Sequence, residues 1–225
     1  MPSAGRKYRA SEKREQTRQQ NSAEIQAAAW RVFCSVGLDG ANVRDIVKQS
    51  GLSPGTFYNY FRTKEAIFEV VAQNLFERLR EATRAARARA RDVDELVVIA
   101  YSSYLEFLQA TEGALEFTDR NQHHLRSQLY PSTAIAGILQ DLEQDLRRFI
   151  GRDAMSDEDV FLFASMIIAA GAEAVFSATR LPGVGPGALL AFLTKFMLRG
   201  LGAWVGAARE PAAEAIAPRL YANDA

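Results

Sequence analysis

Two adjacent histidines, one cysteine and scattered carboxylates are the side chains of this sequence best suited to proton transfer, nucleophilic attack or metal binding. His123 and His124 are the only histidines. Neighbours on a helix point about 100° apart, so these two do not make the paired face on which zinc hydrolases hold their metal. Cys34 stands alone, without a partner for a disulfide or companions for a cysteine-rich zinc cluster. No glycine-rich phosphate loop and no serine elbow occurs; Gly183-Val184-Gly185-Pro186-Gly187 follows a helical pattern, not a strand, and reads as a loop. The expectation is no catalytic residue, no metal site, no cofactor and no enzyme activity.

The stretch from Val43 to Glu65 carries a different chemistry. Asn42 is an N-cap for a short helix Val43–Ser50, and Gly51 closes it because glycine enters the left-handed region without a steric penalty. Ser53 is a second N-cap, with Pro54 at the first helical position, and the helix it opens runs to about Tyr60. Two short helices joined by a glycine turn form a helix-turn-helix, with Ile46, Val47, Leu52 and Phe57 available to bury the inner faces. The second helix begins Ser53, Pro54, Gly55, Thr56: small residues with free amides, able to approach a phosphate closely. Tyr58 and Tyr60 offer hydroxyls to phosphates and rings to thymine methyls, and Arg44 has the fork that pairs with guanine. Phe57 and Phe61 are expected in the core, and at least one of the two tyrosines outside it. Lys64 opens the next helix and is placed to hold a phosphate.

The elements around this motif read as helix almost throughout, with no alternating run long enough for a strand. Ile25, Ala28, Ala29, Val32, Phe33 and Val36 recur at helical spacing, and Gly37 ends that helix. Thr63 caps a long helix from Lys64 to about Ala90. Further helices are predicted near 93–111, 114–124, 132–150, 156–179 and 187–207, separated by Gly113, Pro131, Gly151-Arg152-Asp153 and the 181–187 loop. The domains expected are a flexible basic arm over 1–21, a DNA-binding domain over 22–66, a larger helical domain over 67–208 and a tail over 209–225.

Net charge is zero, but residues 1–64 hold 11 Lys/Arg against 5 Asp/Glu, and the remainder is correspondingly acidic. That asymmetry suits an N-terminal segment that meets a polyanion. Arg6, Lys7, Arg9, Lys13, Arg14 and Arg18 make the arm basic, which fits either backbone contacts or a solvated tail. A single cysteine and a polar N-terminus point to the cytoplasm. The apolar run Val160–Ala178 contains Glu173 and follows Asp157-Glu158-Asp159, so no membrane span is expected there.

The block from about residue 24 to 68 resembles the DNA-binding domain of the tetracycline-repressor (TetR) family of bacterial regulators. The resemblance is carried by an Ala-Ala-x-x-Val-Phe helix, Gly37, Arg44-Asp45-Ile46 and the pattern Gly-Leu-Ser-x-Gly-Thr-x-Tyr-x-Tyr-Phe-x-x-Lys-Glu. It implies base or phosphate contact from Arg44, Ser53, Pro54, Thr56, Tyr58, Tyr60 and Lys64, with Asn59 at a variable position that helps set the operator. Ala41 departs from the Thr or Ser often found there and has no hydroxyl for a phosphate.

Farther along, Phe161–Ala172 and much of Leu189–Trp204 are apolar all round. Such helices must be covered on both sides, most simply by a second copy, giving a four-helix bundle on a two-fold axis. The interface is expected at Ile168, Ala172, Val175, Phe176 and Leu193, continuing through Phe196, Met197, Gly200, Leu201 and Trp204. The resemblance implies the same arrangement. It also implies a small effector held between the DNA-binding domain and the bundle, whose binding moves the helix that starts at Lys64. Phe107, Leu108, Phe117, Leu139, Leu142, Phe163 and Met166 would supply the apolar wall of that pocket, and Tyr104, Arg120, Asn121, His123 and Glu143 its polar groups. The expected fold is thus all-α, and the expected function is that of a homodimeric transcriptional regulator, repressing from a palindromic DNA operator until an apolar or amphipathic effector releases it. The alternative is a helical ligand-binding or interaction module without sequence-specific DNA binding.

Overall fold

In the computed structural model the described residues, 4–129, 133–178, 180–181 and 183–205, form ten helices and no strand. The side chains of residues 4–12, 128–129 and 201–205 are not described. The helices are α1 Ala4–Gly40, α2 Val43–Ser50, α3 Pro54–Tyr60, α4 Lys64–Arg87, α5 Val93–Ala110, α6 Ala114–Arg120, α7 Gln122–Leu129, α8 Thr133–Arg147, α9 Asp157–Ala178 and α10 Pro186–Val205. The described residues make two compact units from discontinuous pieces of chain: those within 4–82 and 106–137, and those within 83–105 and 138–205.

The first unit is built on the apolar stripe of α1. Ile25, Ala28, Ala29 and Phe33 are fully buried, together with Ile46 of α2, Phe57 of α3, and Ile67 and Phe68 of α4. α6 joins this core: Phe117 stacks on Trp30 at 4.6 Å and on Phe68 at 5.4 Å between ring centroids. The compact unit therefore extends past the boundary expected at residue 66, because the aromatic face of α1 is covered by a helix more than seventy residues downstream. Gly113, before α6, has φ 77°, and a Cβ there would stand 2.8 Å from Cys34 Sγ. Only glycine combines that backbone with so close an approach.

α1 reaches back to Ala4, where the sequence predicts a flexible arm. The arm lacks an apolar stripe, but its Ala, Arg, Lys, Glu and Gln are good helix formers, and side-chain bonds such as Gln20 to Glu24 at 3.1 Å support it. Gly37, at φ 70° and ψ 173°, interrupts α1 where the helix is predicted to end. The single helix predicted over 114–124 is instead two, α6 and α7, divided at Asn121.

In the second unit, Leu96, Val97 and Tyr101 of α5, Leu142 and Leu146 of α8, and Leu193 and Met197 of α10 are buried. α9 buries Val160, Ala164, Ile167, Gly171 and Val175, a single stripe at helical spacing. Its 22 residues are long and apolar enough to cross a membrane by length and composition, but that stripe is the mark of a helix packed inside a helical unit. Arg87 is buried here, with its Nε donating to Asp145 at 2.8 Å and its backbone carbonyl accepting from Arg148 at 3.0 Å. The predicted tail over 209–225 and Pro131 lie outside the described residues.

Candidate nucleic-acid interface

The helix-turn-helix is fixed by local bonds its own sequence supplies. Asn42 and Asp45 form a reciprocal capping box: Asp45 N donates to the Asn42 side chain at 3.0 Å, and Asn42 N donates to Asp45 at 3.3 Å. Gly51 then turns the chain at φ 70° and ψ 6°, and an Arg31 guanidinium N–H donates to the carbonyl of Gln49 at 3.3 Å near the end of α2. Ser53 caps α3, its hydroxyl accepting from Thr56 N at 3.1 Å and bonding the Thr56 hydroxyl at 2.9 Å. The core face of α3 carries Phe57, and Phe61 is buried just after it.

What remains on the outside is a surface with donors. Ser53, Pro54, Gly55 and Asn59 are exposed, and Tyr58 is 56% exposed with its ring edge against Phe57. A Cβ at Gly55 would meet only Ser53 Oγ, at 3.8 Å, so the first turn of α3 presents bare backbone to a partner. Thr56 and Tyr60 are half-buried, and Arg44 is exposed on the first turn of α2. The arrangement offers backbone amides and hydroxyls at one helix N-terminus, a guanidinium at the other, and two phenols along α3.

Lys64 is different. Its ammonium donates to the carbonyls of Leu38 at 2.8 Å, Ala41 at 2.9 Å and, more weakly, Asp39 at 3.4 Å. Three donors face three carbonyls at the C-terminal end of α1, where a cation is favoured by the helix dipole. In this structure Lys64, expected to meet a phosphate, caps the end of α1.

The residues expected to line an effector pocket are divided between the units. Phe117 is core of the first unit. Asn121 is fully buried there: its Oδ1 accepts from Leu38 N at 2.7 Å, and its amide donates to the carbonyls of Phe33 at 3.2 Å and Phe117 at 2.8 Å. Every polar atom of that side chain is engaged, so Asn121 is a bolt holding α6 to α1 rather than a ligand donor. Arg120 and His123 are exposed, and His123 lies edge-on to His124, which bonds Asp39 at 2.9 Å. Leu108 is buried and Phe107 half-buried, the latter beneath the Arg78 guanidinium at 5.9 Å. Tyr104, Leu139, Leu142, Glu143, Phe163 and Met166 belong to the second unit. Burial pushes the Tyr101 phenol up from its ordinary pKa.

The expected interface residues also separate. Val175, Phe176, Leu193 and Met197 are buried within the subunit, Ile168 and Ala172 are half-buried, and Phe196 and Gly200 are exposed; the side chains of Leu201 and Trp204 lie outside the described ones. Met166 of α9 with Phe192 and Phe196 of α10 lines an open apolar face, the two rings stacked 6.2 Å apart, and Phe161 and Leu162 of α9 are exposed as well. Phe163 and Met166 border a groove of about 660 Å³ on this face, so they sit with the candidate interface rather than in an enclosed pocket. The sequence leaves this choice open because both helices are apolar on every side.

Residues 25–71 match the family described as bacterial regulatory proteins, tetR family. Over 52 residues the chain is 46% identical to the uncharacterized HTH-type transcriptional regulator YvdT of Bacillus subtilis, a match covering 23% of this chain. Residues 25–71 are thus a DNA-binding domain of the tetR family type. The match spans only 27% of the length of YvdT, so it speaks for the DNA-binding part. Solved structures extend the likeness in fold to most of this chain. The fatty acid degradation regulator FadR from Bacillus halodurans superimposes with a TM-score of 0.66 at 24% identity, covering 79% of this chain and 94% of that one. FadR from Bacillus subtilis, solved in complex with stearoyl-CoA, gives 0.65 at 21% identity, covering 78% and 96%.

Proposed function

We propose that this chain is a bacterial, cytoplasmic transcriptional regulator that binds a palindromic DNA operator as a homodimer and is released by an amphipathic effector. The observation that carries the reading is the capped helix-turn-helix whose outer face leaves Arg44, the Ser53–Gly55 turn and Tyr58 open to solvent. Such a surface supplies backbone-positioning donors and side chains that reach base edges, the two kinds of contact an operator needs. Two copies are required because one short helix reads too few bases; a two-fold axis sets the heads about 34–36 Å apart. The apolar face of Met166, Phe192 and Phe196 is where the second copy would sit.

The effector site belongs to the second unit in this reading, near Tyr104, Leu142 and Glu143. Two buried polar atoms of that unit, Arg87 Nη2 and Tyr101 Oη, have no hydrogen-bond partner among the described residues. An unpaired buried donor costs about 1–3 kcal/mol, which an effector bearing a polar group on an apolar body would recover. A long-chain acyl thioester, as held by the Bacillus subtilis FadR, is of that kind. It releases DNA only if it binds the DNA-incompetent state more tightly.

Selection from a randomised duplex pool tests the reading. Recovery of one palindrome, lost with Tyr58→Ala and with the monomer-forming pair Phe192→Glu/Phe196→Glu, is the expected result, with stearoyl-CoA releasing the bound duplex. Sequence-indifferent capture would return the chain to the class of helical interaction modules.

A further inference from the structure

The N-terminal half of α1 carries a segregated charge pattern that the helix-turn-helix does not use. Lys13, Arg14, Thr17 and Arg18 fall within about 140° of one another around the helix, while Glu15 and Gln19 bond to each other on the opposite side at 3.4 Å. Among the described residues none of Lys13, Arg14 and Arg18 takes part in an ion pair, and all three are exposed. Lys13, Arg14, Thr17 and Arg18 line a concavity of about 440 Å³ whose other wall is Tyr60, the last residue of α3. A ring carrying a hydroxyl thus closes a groove otherwise lined by three free cations and a threonine. Its position is fixed by the first unit itself, beside the end of the helix that faces DNA.

We propose that this groove is a phosphate-binding shelf: Lys13, Arg14 and Arg18, with the Tyr60 hydroxyl, grip the DNA backbone flanking the bases met by α3. Lys13 to Arg18 rises about 7.5 Å along the helix, long enough for the three cations to reach more than one phosphate of a strand. The shelf adds affinity and orientation and carries no sequence information. A solvated tail would have no reason to keep its acids off this side or to share a wall with Tyr60.

The inference rests on the DNA-binding reading, and the test separates the two. The probe is a random-sequence duplex of about 30 base pairs, with affinity followed by fluorescence anisotropy over a range of KCl concentrations. Each phosphate neutralised contributes about 0.9 to the slope of log affinity against log salt. Replacing all three cations, Lys13→Gln/Arg14→Gln/Arg18→Gln, is expected to lower the slope by about 2 to 3 for each bound subunit, while Arg14→Lys/Arg18→Lys keeps it. Glutamine is a good helix former and the sites are exposed, so helicity by circular dichroism stays at the parent value. A parent-like slope in the triple variant overturns the shelf and leaves the regulator reading standing. A parent protein that binds no duplex at low salt overturns both.

Discussion

Replacing Asn121 by alanine measures how firmly α6 is fastened to the DNA-binding unit. The side chain makes three bonds at 2.7, 3.2 and 2.8 Å in a fully buried position. Its loss strands the N–H of Leu38, which follows the break in α1 at Gly37 and lies in the core; a buried donor without an acceptor costs about 1–3 kcal/mol. The carbonyls of Phe33 and Phe117 each lose a donor, worth roughly 0.5–1.5 kcal/mol apiece. These effects share one site and do not add fully, so the expected loss is about 3 kcal/mol. For a chain of this size that lowers the melting temperature by about 6–12 °C. Urea unfolding followed by circular dichroism reads it as a lower midpoint at unchanged slope. Asn121→Asp sharpens the test: it keeps the acceptor for Leu38 N and turns an oxygen toward two carbonyls, so it is expected to be at least as damaging at neutral pH. A loss below about 1 kcal/mol for Asn121→Ala would refute the bolt, because it would mean that water or a backbone shift replaces all three bonds.

Two further outcomes follow from the same unit. Lys64→Met is expected to destabilise the protein by about 1–3 kcal/mol through the loss of charged bonds to the α1 carbonyls, while leaving the salt slope of DNA binding unchanged; a slope lower by about 1 would put Lys64 on a phosphate after all. The Cys34 thiol, pushed up to about 12 chiefly by burial and then by Glu116, donates to the Gly113 carbonyl at 3.2 Å. At pH 8 the native protein should alkylate with iodoacetamide about a thousandfold more slowly than an unfolded thiol, since the thiolate is the nucleophile. Comparable rates in buffer and in urea would contradict that burial.

Residues 42–60 were legible without any structure, because what fixes them is local. The Asn42 cap, the left-handed Gly51 and the Ser53 cap before Pro54 each act within four residues, and the chain needs no distant partner to adopt them. The all-helical character was equally plain, since apolar spacing in α1 and α5 reports a helix wherever its partner lies. The helical start of α1 is not legible in the same way, because an exposed helix of good formers has no apolar stripe to show.

Tertiary structure decided the roles of side chains whose partners are far away in sequence. Asn121 and Leu38 are 83 positions apart, and Lys64 reaches back 26 to the same carbonyl end of α1. Residue type told what these groups could bond; only packing determined which groups stood within 3 Å. The same holds for α9 and α10, whose sequences are apolar on every side and so name no buried face. Folding chose Val175, Phe176, Leu193 and Met197 for the core and left Phe161, Leu162, Phe192 and Phe196 outside, because a helix buries whichever stripe its neighbours can cover.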